Sequence, residues 1–337
     1  MKRWLLALGV LVMLGGVVAS VTLGILRRVL SPADPSGAEL VFVVEPGQSV
    51  AAVAAGLERA GLVRDARAVR GLARWRELEN RIQVGEFALS SAMTPGEILE
   101  KIVSGQVVVY EATLPEGFRL VQIAERLTEA GLVEQDAFLA VATDPATARR
   151  LGVEGSTLEG YLYPDTYRLP KGLTPLEVAK VMVDQFRAVW IEIEPRVAPL
   201  GLSMREIVTL ASIIEKETGA PEERPLIASV FLNRLKKGMR LETDPTVIYG
   251  IENFDGNLRR RHLEDESNPY NTYKIKGLPP GPIANPGRDA LLAVGRPADT
   301  SYLFFVSRND GTHVFSESYR DHSAAVERYQ RPGRSSR

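Results

Sequence analysis

The sequence predicts an α+β protein made of an N-terminal transmembrane helix, a small βα module and a larger mixed α/β domain. Three observations carry this expectation. The chain opens on a long uncharged segment. A strand–turn–helix phrase then occurs twice, 70 residues apart. From residue 157, helices with clear caps alternate with loops rich in tyrosine, asparagine, glycine and proline. The 337 residues are 45% hydrophobic and 25% charged, an ordinary globular balance with room for two domains.

The opening, "MKRWLLALGVLVMLGGVVASVTLGILRRVL", has no charge from Trp4 to Leu26. As a helix that stretch would span roughly 34 Å, enough for a bilayer core of about 30 Å. A cleaved signal peptide is the alternative, but its apolar region is usually only about 7–15 residues long. Lys2 and Arg3 precede the segment and Arg27 and Arg28 follow it, so flanking positive charge does not orient it. Residues 1–28 carry four positive charges and no negative one, so the remainder moves from net −1 to net −5. That balance argues against nucleic acid as a partner. With no cysteine, the chain has neither disulfides nor thiolate metal sites.

Residues 29–39, "VLSPADPSGAE", read as a linker. "LVFVVEPGQSVAAVAAGLERAGLV" then gives a strand, a Pro-Gly turn and a helix with Val50, Val53, Ala54, Leu57 and Ala60 on one face and Gly61 as its stop. "ATLPEGFRLVQIAERLTEAGLV" repeats the phrase: Gly47 answers Gly117, Ala54 answers Ala124, Leu57 answers Leu127 and Gly61 answers Gly131. The repeat implies duplicated packing. Between the copies, a strand, a helix capped by Thr94 and a further strand are expected.

In the second half, "TPLEVAKVMVDQFRAVW" has Thr174 at a helix N-cap and Pro175 in its first position. "SMREIVTLASIIEKET" pairs Ser203 with Glu206 in a capping box. "PLIASVFLNRLKKGM" is a helix stopped by Gly238, residues 241–290 are of low regularity, and "YLFFVSR" and "HVF" form a hairpin across "NDG". The organisation is thus a stub 1–3, a transmembrane helix 4–26, a linker 27–39, a small module 40–108, a larger domain 109–330 and a disordered tail 331–337.

The triplet Glu215-Lys216-Glu217 closes the 203–218 helix. At about 100° per residue, Glu215 lies between Met204 and Val208 on the apolar stripe, whereas Glu217 falls beside Glu206 at its far edge. An inward carboxyl must be paired, for example with Arg234 or Arg240, or held neutral in a cleft, where its raised pKa suits a general acid. Tyr161, Tyr163, Tyr167, Tyr249, Tyr270, Tyr273, Asn233, Asn271 and Asn285 concentrate in this half. Aromatic faces with amide and hydroxyl donors suit a carbohydrate groove, although each tyrosine taken singly fits half-buried packing. His262, His313 and His322 match no metal-ligand spacing. There is no nucleophile elbow, Walker loop or dinucleotide fingerprint.

"LEGYLYPDTY", "ASIIEKET", "ASVFLNRL", "MRLETDPTVIYG", "NPYNTYKIKGLPPGPIANPG" and "YLFFV", in this order, resemble the endolytic murein transglycosylase (YceG-like) family over residues 40–330. Residues 40–108 also resemble a LysM-like domain. The resemblance implies a single-pass protein of the bacterial inner membrane with a cytoplasmic N-terminus and its bulk on the periplasmic side. It implies cleavage between N-acetylmuramic acid and N-acetylglucosamine within peptidoglycan glycan strands, leaving 1,6-anhydromuramic ends and terminating nascent strands. The implied partners are those strands, peptidoglycan synthases and the elongation or division machinery; no cofactor or metal is implied.

The family's catalytic glutamate matches Glu215, with Glu217 as the fallback acid. Asp244, Thr246, Asn271, Tyr273, Glu159, Tyr161 and Asn233 are candidates for binding substrate, against loop architecture as the alternative for Asp244 and Asn271. Two further readings stay open: a non-catalytic wall-binding scaffold, and a hydrolase pairing Glu215 with Asp244 or Asp165.

Overall fold

The computed structural model describes residues 2–330, without the side chains of residues 2–8 and 10. The expected tail 331–337 and the first residue of the expected stub lie outside the described residues. Helix α1 (Lys2–Leu30) runs past the expected end at residue 26. Arg27 and Arg28 are good helix formers and continue it; Ser31-Pro32 stops it, because proline disfavours helical backbone in the residue before it. Its segment Leu11–Leu30 has a mean hydropathy of 1.6 and no buried residue, and α1 alone among the described helices is by itself long and apolar enough to cross a membrane. The linker shrinks to residues 31–38 and is tied down: the Arg64 guanidinium donates to the Pro32 carbonyl at 3.0 Å, and Asp34 N–H to the Ser91 carbonyl at 2.9 Å.

The chain forms two compact units. The smaller comprises residues up to Tyr110 together with Pro170–Gly172, and the larger comprises Glu111–Leu169 and the chain from Leu173 onward. In the smaller unit, β1 (Glu39–Val44) is followed by α2 (Val50–Arg59), α3 (Ala66–Trp75), β2 (Gly85–Ser90) and α4 (Pro95–Val103). β1 and β2 pair antiparallel, with Phe42 opposite Phe87. Val53, Leu57, Val69, Phe87, Leu89, Ile98 and Ile102 make the core. Thr94 caps α4 in a full capping box.

β3 (Tyr110–Thr113) pairs with β4 (Thr166–Leu169), and α5 (Leu120–Glu129), α6 (Gln135–Ala142) and α7 (Pro145–Arg150) lie between them in sequence. The repeat is structural: Gly47 and Gly117 have φ of 79° and 76°, and the stops Gly61 and Gly131 have φ of 70° and 68°. These left-handed positions explain why glycine occupies them in both copies.

The larger unit is centred on α8 (Pro175–Val197), α9 (Met204–Glu217), α10 (Arg224–Lys236) and α13 (Arg288–Gly295). The capping boxes of Thr174 and Ser203 are formed. The region 241–290 contains two short helices, α11 (Asp244–Tyr249) and α12 (Arg260–Glu264). The closing hairpin is β5 (Phe304–Ser307) against β6 (His313–Ser316), antiparallel, and α14 (Tyr319–Gln330) packs on it.

Candidate active site

Helix α9 carries eight consecutive buried residues, Ile207 to Ile214, so it runs through the core of the larger unit with protein around it. Ser203 starts it: its hydroxyl accepts from Glu206 N–H, and the Glu206 carboxylate accepts from Ser203 N–H at 2.8 Å. Thr218, in extended conformation, ends it. The last turn therefore delivers Glu215, Lys216 and Glu217 to separate surroundings, since residues two apart on a helix point roughly 160° away from each other.

Glu215 does point inward, with 6% of its side chain exposed, but it faces a guanidinium. Arg224 Nη2 donates to Oε1 at 3.0 Å, and Gly287 N–H donates to Oε2 at 3.0 Å. Both carboxylate oxygens are engaged. Arg224 is 10% exposed and also faces Glu116 at 3.6 Å and Asp289 at 3.8 Å. Burial, then the charge of Glu215, push the Glu116 carboxyl above its usual range. A Cβ at position 287 would overlap the Glu116 carboxylate, so any larger residue there would displace that side chain. The pairing considered for Glu215 from the sequence is thus realised by Arg224; Arg234 is engaged elsewhere, with Glu242 and three backbone carbonyls, and Arg240 is exposed. Lys216 reaches the Gly117 carbonyl at 3.3 Å.

Glu217 has the environment expected of Glu215. It lines a cavity of about 370 Å³ together with Thr243, Asp244, Tyr273 and Arg234, with residues 304–306 of β5, and with Tyr319, His322 and Val326 of α14. Its carboxylate accepts from the Thr243 hydroxyl. Burial raises its pKa from 4.5 to about 7, assisted by the negative charge of Asp244 and opposed by the Thr243 hydrogen bond. The sequence reading that left Glu217 at a solvated helix edge is corrected here: α9 has no wet face along its buried run, and its last residue emerges into a cleft.

Two of the expected binding residues reach this cavity. Asp244 lines it and accepts from the Tyr273 hydroxyl at 2.7 Å. Burial, then that bond, raise the Tyr273 pKa, so the phenol stays protonated. The cavity wall is set by a buried threonine network: Thr243 N–H donates to Thr272 Oγ1 at 3.0 Å, and the Thr246 and Thr272 hydroxyls are 2.8 Å apart.

The other expected binding residues serve the scaffold. Thr246 is fully buried in that network. Asn271, also fully buried, donates to the carbonyls of His262, Leu263 and Asp265 and accepts from Tyr273 N–H, which shapes the loop rather than a subsite. Asn233 donates to the Thr300 and Tyr302 carbonyls. Tyr161 is 1% exposed, bonds the Glu154 carbonyl and packs edge-on against Phe186. Glu159 is buried and accepts from Leu120 N–H, the Tyr249 hydroxyl and Asn285 Nδ2; burial lifts its pKa to about 7. Asp165 accepts from Thr166 N–H and Gln185 on the surface. Thr243, Tyr319 and His322 had no signal in the sequence, since each meets the cavity from a distant segment, and Arg224 had none because it meets Glu215 across the turn into α10. Among the described residues, no cluster of histidine, aspartate and glutamate could hold a metal ion.

Residues 42–328 match the model of the YceG-like family. The chain belongs to that family. A Bacillus subtilis (strain 168) relative named endolytic murein transglycosylase is 32% identical over 320 residues, covering 90% of this chain and 88% of the relative. A Streptococcus pneumoniae (serotype 2, strain D39) protein of the same name is 30% identical; the match covers 88% of this chain and 60% of that longer protein. A crystal structure of a YceG-like protein from Listeria monocytogenes superposes with a TM-score of 0.59 at 30% identity, covering 86% of this chain and all of that one. The YceG-like match spans both units and includes every residue of the Glu217 cavity.

Proposed function

We propose that this YceG-like protein is a membrane-anchored endolytic peptidoglycan transglycosylase whose acid and base are one residue, Glu217. The observation that carries the reading is a carboxyl group at a cavity wall with a pKa of about 7 and, among the described residues, no ion pair to it, two residues from a glutamate already paired with arginine. Such a group holds its proton at neutral pH and can release it.

Glu217 protonates the glycosidic oxygen between N-acetylmuramic acid and N-acetylglucosamine, and the C1–O bond breaks. The resulting carboxylate takes the proton of the muramoyl C6 hydroxyl, whose oxygen closes on C1 to give the 1,6-anhydro ring. One carboxyl serves both steps, whereas ordinary hydrolysis requires a second to act on water or sugar. Burial keeps Glu217 protonated, with the charge of Asp244 assisting, and Thr243 orients it. The α1 segment supports a single-pass anchor; we place it in the cell inner membrane with a cytoplasmic N-terminus and both units on the periplasmic side, where the glycan lies. The strand–helix–helix–strand order of residues 39–90 supports a LysM-like module that contacts glycan. At that location the enzyme would cut nascent strands beside the synthases of the elongation or division machinery and so end them.

Digestion of un-crosslinked glycan in water labelled with heavy oxygen, followed by mass spectrometry, tests the reading. Unlabelled anhydro ends support it. Labelled reducing ends would mean hydrolysis with Asp244 as second carboxylate, and intact glycan would mean a binding protein without activity.

A further inference from the structure

Helix α14 lends the Glu217 cavity side chains for which the proton transfers have no use. Tyr319 is 71% exposed although it is a large aromatic residue at a cavity wall. Its ring centroid lies 6.0 Å from that of Phe304 at 64°, and Phe304 in turn stacks on His322 at 5.2 Å and 23°. The Arg234 guanidinium sits 5.1 Å from the Phe304 centroid. Arg234 is itself fixed by the Leu303, Arg240 and Leu241 carbonyls and by Glu242. The aromatic row is therefore a rigid shelf with one open end.

His322 has a second peculiarity. Its Nδ1 is buried and has no hydrogen-bond partner among the described residues. Burial, then the Arg234 charge, hold the imidazole below its usual pKa against the opposing pull of Glu242, so the ring is neutral at pH 7. A neutral imidazole nitrogen can accept or donate one bond, according to its tautomer. Buried polar atoms without partners are rare and costly, and a half-turn of the ring about Cβ–Cγ, which keeps its plane against Phe304, exchanges the Nδ1 and Cδ2 edges, so that the nitrogen can meet a ligand in the cavity that His322 lines.

We propose that Tyr319, Phe304 and His322 form a sugar subsite beside Glu217: the Tyr319 ring stacks on the apolar face of one N-acetylhexosaminyl residue, and the His322 ring turns about Cβ–Cγ so that Nδ1 bonds a hydroxyl or acetamido substituent of that residue. The proposal rests on the reading of the Glu217 cavity as the cleavage site. Each saccharide ring presents an apolar face bordered by polar groups, which is the pattern of a shelf ending in a lone nitrogen. The free edge of Tyr319 sets where the strand lies, and His322 sets which substituents it tolerates.

The test uses the full chain in detergent. With Glu217→Gln protein, which leaves the ligand uncut, the affinity for an un-crosslinked tetrasaccharide of alternating N-acetylglucosamine and N-acetylmuramic acid is measured by calorimetry. Tyr319→Ala is expected to weaken binding about tenfold, and Tyr319→Phe to restore it within about twofold. His322→Ala is expected to weaken it about fivefold, and His322→Asn, which keeps a polar group near the Nδ1 position, to recover most of the loss. In protein retaining Glu217, the same substitutions raise KM by similar factors and leave kcat within about twofold. Unchanged affinity and KM in Tyr319→Ala, or equal losses in Tyr319→Ala and Tyr319→Phe, overturn the subsite. So does a His322→Asn variant no better than His322→Ala. If Glu217→Gln protein still cleaves, the acid assignment fails instead, and the KM comparison alone then judges the shelf.

Discussion

Glu217→Gln should make the protein more stable at pH 8 and leave its stability unchanged at pH 4. In the folded chain the Glu217 carboxyl titrates at about 7, against 4.5 for the unperturbed group. Below pH 4.5 both states hold the proton and burial costs nothing through ionisation. Between 4.5 and 7 the unfolded chain gives up its proton while the folded chain keeps it, so stability falls as pH rises. Above 7 the loss is complete, at roughly 3 kcal/mol. Glutamine mimics the protonated acid, does not titrate, and can still accept from the Thr243 hydroxyl. The variant should therefore gain up to roughly 3 kcal/mol at pH 8, equivalent to about 6–12 °C in Tm for a unit of this size. Thermal unfolding followed by the fluorescence of Trp190, which is buried in the larger unit, would measure it across pH 4–8. Glu159, also near 7, contributes equally to both proteins and cancels in the difference. A variant equally stable at pH 4 and pH 8 relative to the parent, or less stable at pH 8, would refute the claim that desolvation holds this carboxyl neutral.

Arg224→Met leaves Glu215 buried without its cation and should cost about 3–5 kcal/mol, while the double variant with Glu215→Leu should recover most of that; thermal unfolding of the three proteins decides it. Asn285→Ala removes a fully used clamp, since this amide accepts from Gly160 and Leu162 N–H and donates to Phe118 and Glu159; a loss of about 4 kcal/mol or more in denaturant unfolding is expected. Asp244→Asn removes a charge that raises the Glu217 pKa, so the alkaline limb of the pH–rate profile for glycan cleavage should move to lower pH. A limb that stays in place would separate Asp244 from the acid.

The parts of the fold legible in the sequence are those set by short-range chemistry. The Thr94, Thr174 and Ser203 capping boxes, the glycines at positive φ in both copies of the repeat, and the turn between β5 and β6 each depend on a few adjacent residues. Helix α14 was not legible, because its face toward the hairpin is made of Tyr319, His322 and Ala325 rather than an aliphatic stripe. The site was half legible. A helical wheel sorts residues into core and solvent and identified Glu215 as inward, which it is. It has no category for a helix buried all round, where the face away from the main core opens on a cavity. That cavity is assembled from residues 241–244, 273, 304–306 and 319–326, and burial there, with Thr243 and Asp244, decides the chemistry of Glu217. Likewise Arg224, which engages Glu215, stands nine residues on, across the turn into α10.

The most direct measurement is the yield of anhydromuramic ends from un-crosslinked glycan with Glu217→Gln and Glu215→Gln proteins, each confirmed to be folded. The expected result is a fall of about 10²-fold or more for Glu217→Gln, with Glu215→Gln retaining substantial activity at reduced stability. Abundant anhydro ends from Glu217→Gln together with their loss in Glu215→Gln would place the acid on the arginine-paired glutamate and contradict the assignment.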